Sequence, residues 1–376
     1  MAALPYPNEL KALTSLRFFA AFWVLLYHFK DHLGFNLGQI GLIADGWLGV
    51  DLFFMLSGFI LAHVYLGQAE RGRFRYAHFL QNRLARIYPM HLAALAAMLA
   101  LYALAHATGA GIGDPNAFRL ADLPAHLLLI HAWGATAQVG WNFPSWSISA
   151  EWGAYLLFPL AAGLALRART RPGLMLGAAL ALCLAAYAVL DGLHAQLPFL
   201  GRGFAEMTAQ IGLLRIVPTF FAGVCLYAFG KARTLPARAA WPLALIAAGW
   251  IAIVSSFALW EGLAWPALAA LILALAETAR RGREGFMGAR ALVLLGAASY
   301  ALYMIHLPID IVYFHALEIV GIDANAGFPV RLAALAGVFI VAIAASLFAY
   351  AWFEEPARRW VRALPGLPRP RLAASR

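Results

Sequence analysis

Ten apolar runs, each roughly 17 to 25 residues long and therefore able to cross a bilayer as a helix, recur along this 376-residue chain. They fall at about 12–29, 47–66, 87–107, 147–166, 174–191, 211–229, 241–258, 263–279, 291–315 and 331–353. The hydrophobic fraction is 63% and the charged fraction only 12%, about half that of a soluble domain. Surface-to-volume scaling leaves much of any fold exposed, so a soluble protein cannot hide that much apolar surface. The reading is an all-α polytopic membrane protein of about ten transmembrane helices. A weaker apolar stretch at 121–133 could lie in the interface.

The basic residues set the orientation. With the N-terminus in the cytoplasm, the inner segments hold 23 of the 28 Lys and Arg residues; the outer side holds Lys30, Arg119, Arg202, Arg215 and Arg331. That asymmetry, alternating at every loop, follows the positive-inside rule and places both termini in the cytoplasm. The net charge of +10 arises from these loop clusters, which argues against nucleic acid as a partner. The first run lacks a small-residue cleavage site and is expected to insert as a mature helix. Residues 1–360 read as one transmembrane domain and 361–376 as a basic, disordered cytoplasmic tail. Cys183 and Cys225 lie inside apolar runs without metal-ligand or redox spacing, and read as small core residues. No metal is expected, and P-loop, dinucleotide and nucleophile-elbow motifs are absent.

Ionisable groups inside spans carry the chemistry, because each is costly unless paired or hydrated. Arg17 and His28 lie eleven residues apart in TSLRFFAAFWVLLYHF, on nearly one face and roughly 16 Å apart along a helix. Asp51 opens the second span, Glu151 the fourth, and His306 sits in the outward half of the ninth. These four groups, His28, Asp51, Glu151 and His306, read as one polar site in the outer half of the bundle. There Asp51 or Glu151 would orient His28 as a general base. Each also has a plainer reading: snorkelling anchor for Arg17, structural histidine for His28, helix-start or capping group for the carboxylates. Arg83 and Arg86 share a helix face, and Glu354 and Glu355 come to the same membrane surface. This inner cluster is either loop charge with a counter-ion or a pocket for phosphate, which guanidinium matches bidentately. Ser57 reads as a packing residue beside Gly58.

The segments LTSLRFFAAFWVLLYHF, LGVDLFFMLSGFIL, FLQNRLARIYPMH, NFPSWSISAEWGAYLLFP, ASYALYMIHLPI and FEEPARRW, in that order, resemble acyltransferase family 3. This group of integral membrane proteins O-acetylates bacterial surface polysaccharides and related molecules. The resemblance implies that His28 is essential for transfer, that Arg83 and Arg86 with Arg17 handle a cytoplasmic acyl-CoA donor, acetyl-CoA foremost, and that Glu151 belongs to a SxSxEE-like segment. Trp152 stands where that pattern has its second glutamate. It also implies a bacterial inner-membrane location and a carbohydrate or glycoconjugate acceptor. His28 would act as base or itself carry the acyl group. A transporter or flippase, using the same groups as a proton relay, is the alternative from another class.

Overall fold

The computed structural model describes residues 5–109, 115–136, 140–193, 211–236 and 238–364. Among them the chain is helix and turn, with no strand. Nine helical stretches are long and apolar enough to cross a membrane, and a tenth apolar helix, Ala240–Ser256, is 17 residues long. The ten helices are α1 Lys11–Phe29, α2 Leu48–Glu70, α3 Tyr76–Thr108, α4 Trp146–Arg167, α5 Pro172–Leu193, α6 Gly212–Ala232, α7 Ala240–Ser256, α8 Ala264–Arg280, α9 Arg290–Ile319 and α10 Phe328–Ala349. After a π-helical turn at Tyr350–Glu354, a short amphipathic helix, α11 Glu355–Ala363, closes the described chain. The expected tail boundary at 360 falls inside α11; residues 365–376, and Arg202, lie outside the described residues.

Large apolar side chains face outward, as lipid contact allows: Leu245, Ile246 and Ile340 are 67%, 69% and 67% exposed. Inside, α2 lies against α6 and α1 against α9. The α2–α6 contact depends on two glycines facing each other's backbone. A Cβ on Gly58 would strike the Phe220 carbonyl, and one on Gly223 the Met55 carbonyl. Without water between helices, such small residues let backbones approach and gain dispersion contact. In the SGF segment it is therefore Gly58 that packs, and Ser57 is free for other work.

The weak apolar stretch packs against the helices of the bundle. The segment Leu120–Thr136 turns back into the bundle and reaches His91, midway along α3. His91 Nε2 donates to the His126 carbonyl at 2.9 Å, and the Tyr88 hydroxyl to the Leu127 carbonyl at 2.9 Å. Irregular backbone at this depth persists only where protein satisfies it. Ser149 supplies most of that: its Oγ donates to the Leu129 carbonyl and accepts from the Ala132 N–H, both at 2.9 Å. The Trp133 indole adds a bond to the Ser149 carbonyl at 2.8 Å. Ser145 meets His131 Nε2 at 3.2 Å. Because α4 follows this re-entrant segment, it begins below the bundle surface, and Trp146 to Ala150 are all buried.

Candidate active site

Five helices converge on an elongated pocket. Arg17 enters from α1, Val50 to Leu61 from α2, Arg83 to Ile87 from α3, Ser147 to Tyr155 from α4, and Ser299 to Tyr303 from α9. Leu61 and Val50 lie eleven residues apart on α2, roughly 16 Å along the helix axis. One end carries arginine. Arg86 pairs with buried Glu354 and lies 5.2 Å from the Tyr300 ring. Arg83 lies 5.8 Å from the rings of both Tyr65 and Tyr155. Neither Arg17 nor Arg83 has an ion-pair partner among the described residues. Arg358, brought in by α11 and paired with Glu355, acts electrostatically on both Arg17 and Arg86. Sequence reasoning left Arg358 in the run of charges beyond the last span. Its signal was the amphipathic spacing of EEPARRW, which folds it back under α3.

Glu151 does not join the histidines. It lies in the arginine pocket, where Ser57 Oγ donates to its Oε1 at 2.6 Å and its charge faces Arg17. The physical reason is the buried start of α4, which carries Glu151 deeper than a helix beginning at the interface would. Ser57, read as a packing residue, is thereby Glu151's hydrogen-bond partner.

Asp51 is also elsewhere than expected. Its two oxygens accept a bidentate pair from Arg215, Nε to Oδ1 and Nη2 to Oδ2, each at 3.1 Å. The guanidinium lies 4.9 Å from the Trp47 ring and 5.2 Å from that of Trp146. Both partners are at most 1% exposed. Arg215, counted above among outer charges, is thus a buried residue of α6. The pair could have been found from its depth: each residue lies one turn inside a span that opens on the same side. Asp51 therefore ties α2 to α6 and does not orient His28.

His28 and His306 do come together, with ring centroids 4.8 Å apart. His28 Nδ1 lies 2.9 Å from the Val24 carbonyl, and His306 Nδ1 2.7 Å from the Tyr303 carbonyl. A carbonyl only accepts, so each Nδ1 carries a proton, and in the neutral ring Nε2 then keeps its lone pair. Both Nε2 atoms are buried without a partner among the described residues. Two neutral imidazoles thus present free bases side by side. The carboxylate that acts on His28 is Asp310, one turn beyond His306; it lies 2.8 Å from His32 Nε2, and His32 stacks on Phe314. The backbone here is opened by Pro308, which has no N–H for the Met304 carbonyl. Asn142 Nδ2 fills that vacancy at 2.9 Å. Nearby, Ser147 Oγ donates to the Tyr303 hydroxyl at 2.9 Å, which donates to the Pro144 carbonyl at 3.1 Å. The alternating serines 145, 147 and 149 therefore fasten the re-entrant segment and α9 around the histidines.

A helical membrane bundle with a cationic pocket at one end and paired free imidazoles near the other has the form of a membrane group-transfer protein. The family described as "Acyltransferase domain" matches residues 10–349, and the chain belongs to that acyltransferase family, as its motifs implied. Acyltransferase MdmB of Streptomyces mycarofaciens is 36% identical over 166 residues, 42% of this chain and 40% of the relative. Protein 2 in the picA locus of Rhizobium radiobacter is 34% identical over 116 residues, 31% of this chain and 58% of the relative. The chain thus spans about half the length of the curated relatives it matches. No solved structure matches it.

Proposed function

We propose that the protein is an O-acyltransferase of the bacterial inner membrane. It takes an acyl group, acetyl foremost, from cytoplasmic acyl-CoA and passes it to a hydroxyl of an extracytoplasmic glycan or related acceptor. In this reading the arginine end and both termini face the cytoplasm. The observation that carries it is the pocket itself: Arg17 and Arg83 at one end, neither in an ion pair among the described residues, and just beyond the other end two imidazoles whose Nε2 atoms have no hydrogen-bond partner among those residues. Cationic side chains in a low-dielectric pocket call for an anionic ligand, and guanidinium suits phosphate oxygens. A pantetheine arm is long enough to run from such phosphates toward the histidines. Family membership and the name of the Streptomyces relative support acyl transfer over solute transport.

The chemistry balances without a further reactant. The acceptor oxygen attacks the thioester carbonyl, and His28 Nε2 takes the hydroxyl proton as the C–O bond forms. The C–S bond then breaks, and the imidazolium returns the proton to the departing thiolate, giving ester and free CoA. The Val24 carbonyl holds His28 in the tautomer this requires, and His306 is the second base of the pair. Incubating purified protein with radiolabelled acetyl-CoA and an envelope-glycan extract, wild type beside His28→Ala, tests this. Label should move into glycan with wild type alone. Equal transfer by the variant, or acetyl-CoA left intact by both, would overturn the reading.

A further inference from the structure

The pocket ends one helical turn short of the histidines. Its last lining residues are Val50 and Phe53 on α2, Ser147 on α4 and Tyr303 on α9; His306 lies three residues beyond Tyr303, and neither His28 nor His306 lines the cavity. What stands between is a wall of two rings. Phe53 and Tyr303 meet edge to face with centroids 6.2 Å apart, and Tyr303 is 5.8 Å from the His306 ring. Phe53 faces both ways: it lines the pocket and also packs on the apolar cluster of Leu25 and Leu302, one turn below the histidines. The two rings are held differently. Tyr303 is pinned by Ser147 and the Pro144 carbonyl, whereas Phe53 is kept in place by packing alone. Behind Val50, α1 leaves no slack, since a Cβ on the adjacent Gly49 would press on Val24 at 2.9 Å.

We propose that Phe53 sets the length of acyl group the protein accepts. The inference rests on the reading of the pocket as an acyl-CoA site. A thioester drawn up the pocket toward the histidines lays its acyl group against the Phe53–Tyr303 wall. An acetyl methyl fits beneath it; each added methylene meets a ring edge whose neighbours are fixed. The cavity, about 110 Å³, has Phe53 and Tyr303 among its last lining residues at this end. Phe53, the ring without a polar tether, is the residue whose size decides how far the chain can go. In hydrophobic pockets one methylene is worth about 1–3 kcal/mol, roughly 10- to 200-fold in selectivity.

The experiment needs no acceptor. Radiolabelled acetyl-CoA is bound to the detergent-solubilised full chain and displaced by unlabelled acetyl-, propionyl- or butyryl-CoA. Wild type should prefer acetyl- over butyryl-CoA by at least about tenfold. Phe53→Ala should erase most of that gap, and Phe53→Leu, a milder change that keeps the core filled, should narrow it. Phe53→Trp should extend the discrimination to propionyl-CoA. Wild type binding all three equally, or monodisperse Phe53→Ala and Phe53→Leu both keeping the wild-type ratio, would overturn the assignment of Phe53 while leaving the donor site intact. Absence of any acetyl-CoA binding by wild type would instead overturn the donor reading, and this inference with it.

Discussion

The two ends of the pocket solve opposite problems with similar means. At the arginine end, charge is left over: four guanidinium groups, Arg17, Arg83, Arg86 and Arg358, face three carboxylates, Glu151, Glu354 and Glu355. At the histidine end there is no such surplus of cation around the imidazoles. Asp51 and Arg215 meet in a buried bidentate pair, and the imidazoles have their Nδ1 protons committed to backbone carbonyls. A surplus of cation holds a ligand, whereas a neutral base accepts a proton. The bundle separates the two jobs along its axis, and the comparison makes each end separately breakable.

Removing the base should cost most. His28→Ala is expected to lower transfer by about 10²- to 10⁴-fold, the usual worth of a positioned general base, with acetyl-CoA binding retained; a displacement assay beside a turnover assay separates the two. Next comes the buried Asp51–Arg215 pair. Asp51→Asn strands a buried guanidinium and should destabilise the protein by about 3–5 kcal/mol, seen as a lower thermal midpoint in detergent. Because apolar replacement of both partners is often neutral, Asp51→Leu with Arg215→Met should recover most of that loss. A single variant as stable as wild type would remove the pair from the scaffold. Arg83→Ala should act at the other end alone, raising KM for acetyl-CoA roughly 10- to 100-fold, since bonds to charged groups are worth about 1.5–3 kcal/mol. A fall in kcat with unchanged KM would contradict the division between ends. Smallest is Ser57→Ala, which removes one bond to Glu151 and should change KM by about fivefold, the worth of roughly 1 kcal/mol.

Position along each helix was legible in the sequence, and position around the helix axis was not. The span limits follow from apolar length, so α1, α4 and α9 begin and end within a few residues of expectation. Arg17 and His28 lie at opposite ends of α1 because residue count fixes rise. Helix α3 starts earlier than expected, at Tyr76, because its first turns carry the arginines and so contribute no apolar signal. The errors are lateral or concern a helix start. Asp51 has the right depth and the wrong neighbour, since nothing in the sequence of α2 says that α6 lies beside it. Glu151 was set too near the surface because hydropathy could not show that the residues before α4 are buried. The re-entrant segment escaped for the same reason: its depth is fixed by Ser149, Tyr88 and His91, residues of other elements.

That segment has a consequence for the order in which the protein is made. Leu120–Thr136 is too short to span a bilayer, and its backbone bonds at depth go to side chains of α3 and α4. When α3 has left the ribosome and α4 has not, Ser149 does not yet exist, and the Leu129 carbonyl and Ala132 N–H would stand bare in lipid. The segment must therefore wait at the membrane surface until α4 inserts, then sink as the serines arrive. Maturation is a step separate from insertion: a chain truncated before Ser149 should expose this segment to added protease, and the full-length chain should shield it.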